Sequence, residues 1–280
     1  MWLALILSIP VPVYIVSCVS EPPLLLLDLD ETLMVEEPAA VAAFQATARY
    51  AASVHDIHAD ALALAARSRA RELWYAAPTH PYCERVGISS WEGLWCRYDG
   101  NGADLEKLRA WGPTYRREAW TLALADQGLQ NSDLASELAD RFGTERRARH
   151  QVFPDAEAAL RELSATHTLG LVTNGASCLQ REKLAASGLA SYFSLVVVSS
   201  DVGATKPDPA VFHEALVLAG AENAVMVGDS VEKDIRGAQA AGLGAVWLNR
   251  AGLPVPQNLG APHISNLKEL PGVLVNDLLH

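Results

Sequence analysis

From residue 150 onward the chain alternates between short, unbroken apolar runs and stretches of helical periodicity. The runs are LGLVTNG (169–175), LVVVSSD (195–201), AVMVGDS (224–230) and GAVWLNR (244–250), and each ends in polar residues. The helices between them carry recognisable ends. Pro154 and Asp155 open one, Asp208 caps the next with Pro209 in its first turn, and Gly220 closes that helix. A further helix runs on from Asp229 through EKDIRGAQAAG and stops at Gly242. LLLLDLD (24–30) supplies one more strand near the amino terminus. Wholly apolar strands alternating with helices predict an α/β, Rossmann-like core: a parallel sheet with helices on both faces.

The segment between the first strand and this repeating part has a different pattern. It reads as helix almost throughout, in PAAVAAFQATARYAASV (38–54), ADALALAARSRARELW (59–74), REAWTLALADQGL (117–129) and SDLASELADRFG (132–143). Five of the seven tryptophans fall here, Trp74, Trp91, Trp95, Trp111 and Trp120, which suits the core of a small inserted domain. Trp91 and Trp95 stand at helical spacing, as core packing requires. The expected organisation is an α/β core from 22–35 plus 150–280, a helical insertion at 36–149, and an apolar leader at 1–21.

Within that leader, residues 2–19 are apolar for the length of a membrane span or signal peptide. No Lys or Arg precedes Arg49, and Pro10 and Pro12 interrupt any helix there. IVSC before Glu21 resembles a lipoprotein cleavage box. A non-native leader, a signal or anchor, and an extra structural segment all remain open. The expected location is cytoplasmic, with a membrane involved only if residues 2–19 are a true anchor.

Half of the 280 residues are hydrophobic and 20% are charged, as in a globular protein. The formal net charge of −11, with no long basic run, argues against a nucleic-acid polymer or an anionic membrane surface as partner. An anionic small molecule can bind only where local cations reverse that field. Cys18, Cys83, Cys96 and Cys178 are scattered without a CxxC pair, as reduced thiols would be; a Cys83–Cys96 disulfide is the alternative.

In open parallel sheets, ligands collect beyond the carboxyl ends of the strands. At those ends stand Asp28 and Asp30, then Thr173 and Asn174, then Lys206 in the loop after the third run, then Asp229, with Asp234 a few residues further. Each has an ordinary structural explanation alone: Thr173 can finish a strand, Lys206 can be a solvated charge, Asp229 can cap a helix. Their joint occurrence on one rim points to a site.

The same residues carry a family resemblance. DLDET resembles the DxDx[TV] signature of the haloacid dehalogenase-like hydrolase superfamily, LVTNG its second motif, the TKPDP region its lysine motif and GDSVEKD its acidic motif. The four occur in the family's order across 22–35 and 150–250, and the helical insertion resembles the family's C1-type cap. The resemblance implies Asp28 as nucleophile and Asp30 as general acid and base. It also implies Thr173 and Asn174 as phosphate-binding residues, and Lys206 as the holder of both nucleophile and phosphate. It further implies Mg2+ on Asp28, the Asp30 backbone carbonyl and Asp229, with Asp234 in support.

Elementary electrostatics agrees with such a set. Two like charges about 4 Å apart repel by roughly 4 kcal/mol at an effective dielectric of about 20, so a carboxylate attacks a phosphate dianion only beside compensating cations. Asp30 separates the family's chemistries: dehalogenases expel halide and need no acid there, whereas a phosphatase protonates an alkoxide. The expectation is therefore a Mg-dependent phosphatase of a small phosphorylated metabolite, a sugar phosphate or nucleoside monophosphate, acting as monomer or homodimer. The alternatives are a phosphomutase, a dehalogenase or a non-catalytic phospho-ligand-binding protein. Glu31 is expected to face solvent and Thr32 to fix the turn. HPYCERVGISSWEGLW (80–95) and the Arg116–Arg117 pair are the candidates for facing the substrate.

Overall fold

Four consecutive leucines need cover on both sides, and the architecture supplies it. In the computed structural model, which describes residues 23–276, β1 (Leu24–Leu27) lies inside a six-stranded sheet ordered β3-β2-β1-β4-β5-β6. The leader at 1–21 and the questions attached to it lie outside the described residues. β2 (Thr168–Thr173) and β4 (Ala224–Gly228) flank β1, β3 (Leu195–Val198) lies beyond β2, and β5 (Gly244–Leu248) and β6 (His263–Ile264) lie beyond β4. Every pairing is parallel.

The alternating side chains of β1 feed two different cores. Leu25 and Leu27 pack with α7 (Ala156–Leu163), with Leu184 of α8 (Ser177–Ser187) and with α12 (Leu270–Asn276). Leu24 and Leu26 pack with α10 (Pro209–Ala219), which follows the short α9 (Ser199–Val202), and with Ala238 of α11 (Gly237–Ala240). Period-two alternation with both faces covered is why the strand reads as a run rather than a stripe.

Between β1 and β2 the chain forms α1 (Glu37–Val54), α2 (Ala59–Ala76), α3 (His80–Val86), α4 (Ser90–Gly93), α5 (Ala103–Ala125) and α6 (Ser132–Arg147). Phe44, Trp74, Trp95, Trp120 and Phe142 bury in a core of their own. α5 begins at Ala103, well before the expected 117, and runs through Gly112 and Pro113. Trp111 stacks on Tyr115 at 4.6 Å and meets Trp74 at 5.8 Å, so tertiary packing carries the helix past two residues that disfavour it.

Other local expectations shift as well. The helix after Asp229 opens with a π-helical turn, Val231–Arg236, before α11. Asp208 caps α10 through Ala210 N and Gly220 ends it, as the sequence indicates. Among the described residues Cys83, Cys96 and Cys178 are free, and the Cys96 thiol faces Cys178 at 3.7 Å rather than Cys83. No helix among the described residues is long and apolar enough to cross a membrane.

Candidate active site

The rim forms because β1 stays paired one residue past its formal end. Asp28 N donates to Val227 O at 3.0 Å, so the Asp28 side chain is presented beside the ends of β2 and β4. Lys206 arrives from the loop before α10 and is 2% exposed. Its Nζ donates to Asp28 Oδ1 (2.7 Å), Asp234 Oδ1 (2.6 Å) and Val172 O (2.9 Å), three acceptors for three ammonium hydrogens. The loop is pinned from Asn174, whose Oδ1 accepts from Lys206 N (2.9 Å) and whose Nδ2 donates to Lys206 O (3.2 Å). The Asn174 side chain is thus engaged by backbone, and its own carbonyl accepts from Gln180 Nε2 at 2.7 Å.

Asp234 approaches so closely that a Cβ on Gly228 would lie 2.3 Å from its carboxyl, so position 228 has to be glycine. Its Oδ2 accepts from Ser230 N at 2.9 Å. One oxygen each from Asp28, Asp229 and Asp234 lies within 4.8 Å of the others. Thr32 is fully buried and ties the two acidic loops together, accepting from Asp229 N at 3.2 Å. Thr173 is buried, and its Oγ1 has no protein partner.

Burial pushes the Asp28 carboxyl up to about 7, with Lys206 pulling it down and Asp234 and Asp229 pushing it up. Asp229 rises to about 6 for the same reasons, burial first and then Asp234. Lys206 shows the complement: burial lowers it, but Asp234 and Asp28 more than offset that and hold it charged. One lysine cannot balance three carboxylates, so the cluster retains room for a further cation.

Asp30 sits apart from this group. Burial raises it to about 7; Lys183 opposes the rise, while Glu36, Glu92 and Asp28 add to it. Its carboxyl accepts from Lys183 Nζ (3.1 and 3.2 Å) and Gln180 Nε2 (3.1 Å). Asp28, Asp30, Thr173, Asn174, Lys206, Asp229 and Asp234 all line one cavity of about 330 Å³. Its opposite wall comes from the helical insertion: Gly87, Ser89, Trp91 and Glu92, with Glu31 and Glu37 at the edge.

Several expectations need correction here. Glu31 does not simply face solvent: with φ of 59° it turns back, lines the cavity, and its Oε1 accepts from Glu36 N (3.0 Å) and Glu37 N (2.6 Å) at the start of α1. Trp91 lines the cavity, whereas Trp95 is buried core, because α4 ends at Gly93 and breaks their shared spacing. The 80–95 stretch reaches the site through residues 87–92. The Arg116–Arg117 pair does not line the cavity; Arg116 donates to Gly93 O and Cys96 O, and Arg117 is exposed.

Lys183, Gln180 and Glu36 escaped the sequence reading, whereas Glu92 lies inside the 80–95 stretch singled out there. A usable signal existed: Leu179, Gln180, Lys183 and Leu184 form the buried face of α8, so an amide and a lysine interrupt an otherwise apolar stripe.

Comparison with known proteins gives a consistent picture. A model of haloacid dehalogenase-like hydrolases matches residues 23–242. A phosphoserine phosphatase of Thermus thermophilus is 43% identical over 230 residues, 81% of this chain and 88% of that protein. A human N-acylneuraminate-9-phosphatase is 36% identical over 166 residues, 57% of this chain and 67% of its own length. Among solved structures, a 2-haloacid dehalogenase from Pseudomonas syringae pv. Tomato DC3000 superposes with a TM-score of 0.59 at 31% identity, covering 91% of this chain and 98% of that one.

Proposed function

This chain belongs to the haloacid dehalogenase-like hydrolase family, and from that premise we propose a magnesium-dependent phosphatase of small phosphate monoesters that works through an aspartyl-phosphate on Asp28. Hydrolysis of phosphoric monoesters follows from its relatives; the metal, the intermediate and the substrate are the proposal. One observation carries it. Lys206 holds only Oδ1 of Asp28, so Oδ2 remains for attack in a cavity that also holds the unpartnered Thr173 hydroxyl.

Asp28 Oδ2 attacks phosphorus, and the bond from phosphorus to the leaving oxygen breaks. The Asp30 carboxyl, raised to about 7, gives its proton to that oxygen. As a carboxylate, Asp30 then takes a proton from the water that attacks the acyl phosphate, releasing inorganic phosphate and restoring Asp28. Thr173 Oγ1 and backbone N–H groups at Asn174 donate to phosphoryl oxygens, and the Lys206 ammonium offsets the charge drawn in beside Asp28. The oxygen-only set of Asp28, Asp229 and the Asp30 backbone carbonyl suits magnesium, with Asp234 holding Lys206 behind it. When bound, that ion supplies charge neutralisation and orientation for a phosphate dianion.

Asp30 also weighs against a dehalogenase reading, since a departing halide needs no proton. The Thermus relative makes O-phosphoserine the first substrate to test, followed by sugar and nucleoside monophosphates. The experiment measures phosphate release from such a panel with magnesium, then with chelator. Asp28→Asn should release none, and the wild-type peptide bearing Asp28 should gain the mass of one phosphoryl group under rapid acid quench. Full activity in Asp28→Asn would overturn the assignment.

A further inference from the structure

Two buried side chains take no part in the reaction just described. Lys183 is 0% exposed and sits on the buried face of α8. Its Nζ lies 3.1 and 3.2 Å from the two Asp30 oxygens, 2.8 Å from Glu92 Oε1 and 3.3 Å from Glu36 Oε1. Gln180, also fully buried, directs Nε2 to Asp30 Oδ2 (3.1 Å), Glu92 Oε1 (3.3 Å) and Asn174 O (2.7 Å). The three carboxylates come from three places. Asp30 follows β1, Glu36 immediately precedes α1, and Glu92 belongs to α4 inside the helical insertion.

We infer that Lys183 and Gln180 are positioning residues that aim the Asp30 carboxyl at the leaving oxygen, and that they hold this aim only while Glu92 seats the helical insertion on α8. The inference rests on the reading of Asp30 as proton donor. An aspartate on a loop has two rotatable side-chain bonds, and three donor contacts from a packed helix remove that freedom. Displacement of a reacting group by 1 Å can cost about 100-fold in rate, so such restraint is felt directly. Both α8 donors are shared between Asp30 and Glu92. Withdrawal of Glu92 therefore leaves a buried ammonium short of a partner and free to tilt from Asp30 towards Glu36. Lys206 has no such dependence, because Asp28, Asp234 and Val172 all belong to the α/β core. The nucleophile is thus set by the α/β core alone, and the acid only with the insertion seated on α8 through Glu92.

Leaving groups separate this role from general support of the fold. Nitrophenolate departs without a proton, whereas the serine alkoxide requires one. The test is single-turnover leaving-group release, with enzyme in excess and magnesium present, from p-nitrophenyl phosphate and from O-phosphoserine. Asp30→Asn is the reference and should lose about 100-fold or more on phosphoserine while nitrophenolate release changes less than about 5-fold. Lys183→Met should reproduce that selectivity, and Gln180→Met should show it at about 10-fold. Glu92→Gln should show it as well.

Equal losses on both substrates in Lys183→Met and Gln180→Met would overturn the positioning role. An unchanged phosphoserine rate in Glu92→Gln would overturn the dependence on the insertion. Should Lys183→Met not fold, Gln180→Met decides, since it strands no charge. If Asp30→Asn itself shows no selectivity, the reading of Asp30 fails first and the inference falls with it, a result distinct from selectivity in Asp30→Asn alone.

Discussion

Among the described residues two lysine ammonium groups are buried, and they teach different things. Lys206 meets Asp28, Asp234 and a strand carbonyl, all on the sheet's rim. Lys183 meets Asp30 on that rim but also Glu36 at the entry to the insertion and Glu92 inside it. Removing an ion from water costs several kcal/mol unless close partners replace the lost hydration. At Lys206 the partners all belong to the α/β core: two strand ends and the π-helical turn after β4. At Lys183 they depend on how a helical layer packs across a joint. The same electrostatic solution is therefore rigid in one place and contingent in the other.

The sharpest test of that contrast is the proposed nucleophile. Asp28→Asn should lower turnover by on the order of 10⁴-fold or more with the fold intact, checked by steady-state phosphate release and circular dichroism. Next come the two lysines. Lys206→Met and Lys183→Met each strand buried carboxylates and should each cost about 3–5 kcal/mol in urea unfolding. Magnesium should restore part of the Lys206→Met loss, because Asp28, one of the two stranded acids, is a proposed ligand, and none of the Lys183→Met loss. Equal rescue would erase the distinction.

A smaller effect concerns pH in the presence of chelator. Asp28 and Asp229 are raised to about 7 and about 6, above an unfolded value of about 3.9. The folded state then holds protons that the unfolded chain has released. Stability should fall as pH rises from about 4 to about 7, and magnesium should flatten that slope; thermal melts across the window measure both. Smallest is the acid limb from Glu36. Burial raises this carboxyl, but Lys183 and Arg146 more than compensate and hold it below its ordinary value. Its contribution is complete above the unfolded carboxylate range and is lost as pH falls through the depressed value. Glu36→Gln should flatten that limb.

The rim was legible from sequence because short-range rules place it. A run such as LLLLDLD declares both its strand and its exit, and the polar ends of three further runs then align through parallel pairing. α10, with Asp208, Pro209 and Gly220, was legible for the same reason. Less accessible were features set by packing over long separations: α5 running through Pro113 with its Tyr115 against Trp74, and Glu92 meeting Lys183 across 91 positions. Composition also misled at Arg116, a cation suited to a substrate but engaged by backbone carbonyls of its own layer. β6, two residues long, carries too little pattern to be read at all.

β1 is hydrogen-bonded to neighbours on both sides, and its four leucines are at most 4% exposed. Its amides should therefore be the last to exchange with deuterium, opening only when the whole domain does. Fraying at β6 or α12 need not reach the strand that delivers Asp28. Loss of Asp28's placement on warming should then coincide with complete melting of the sheet rather than precede it.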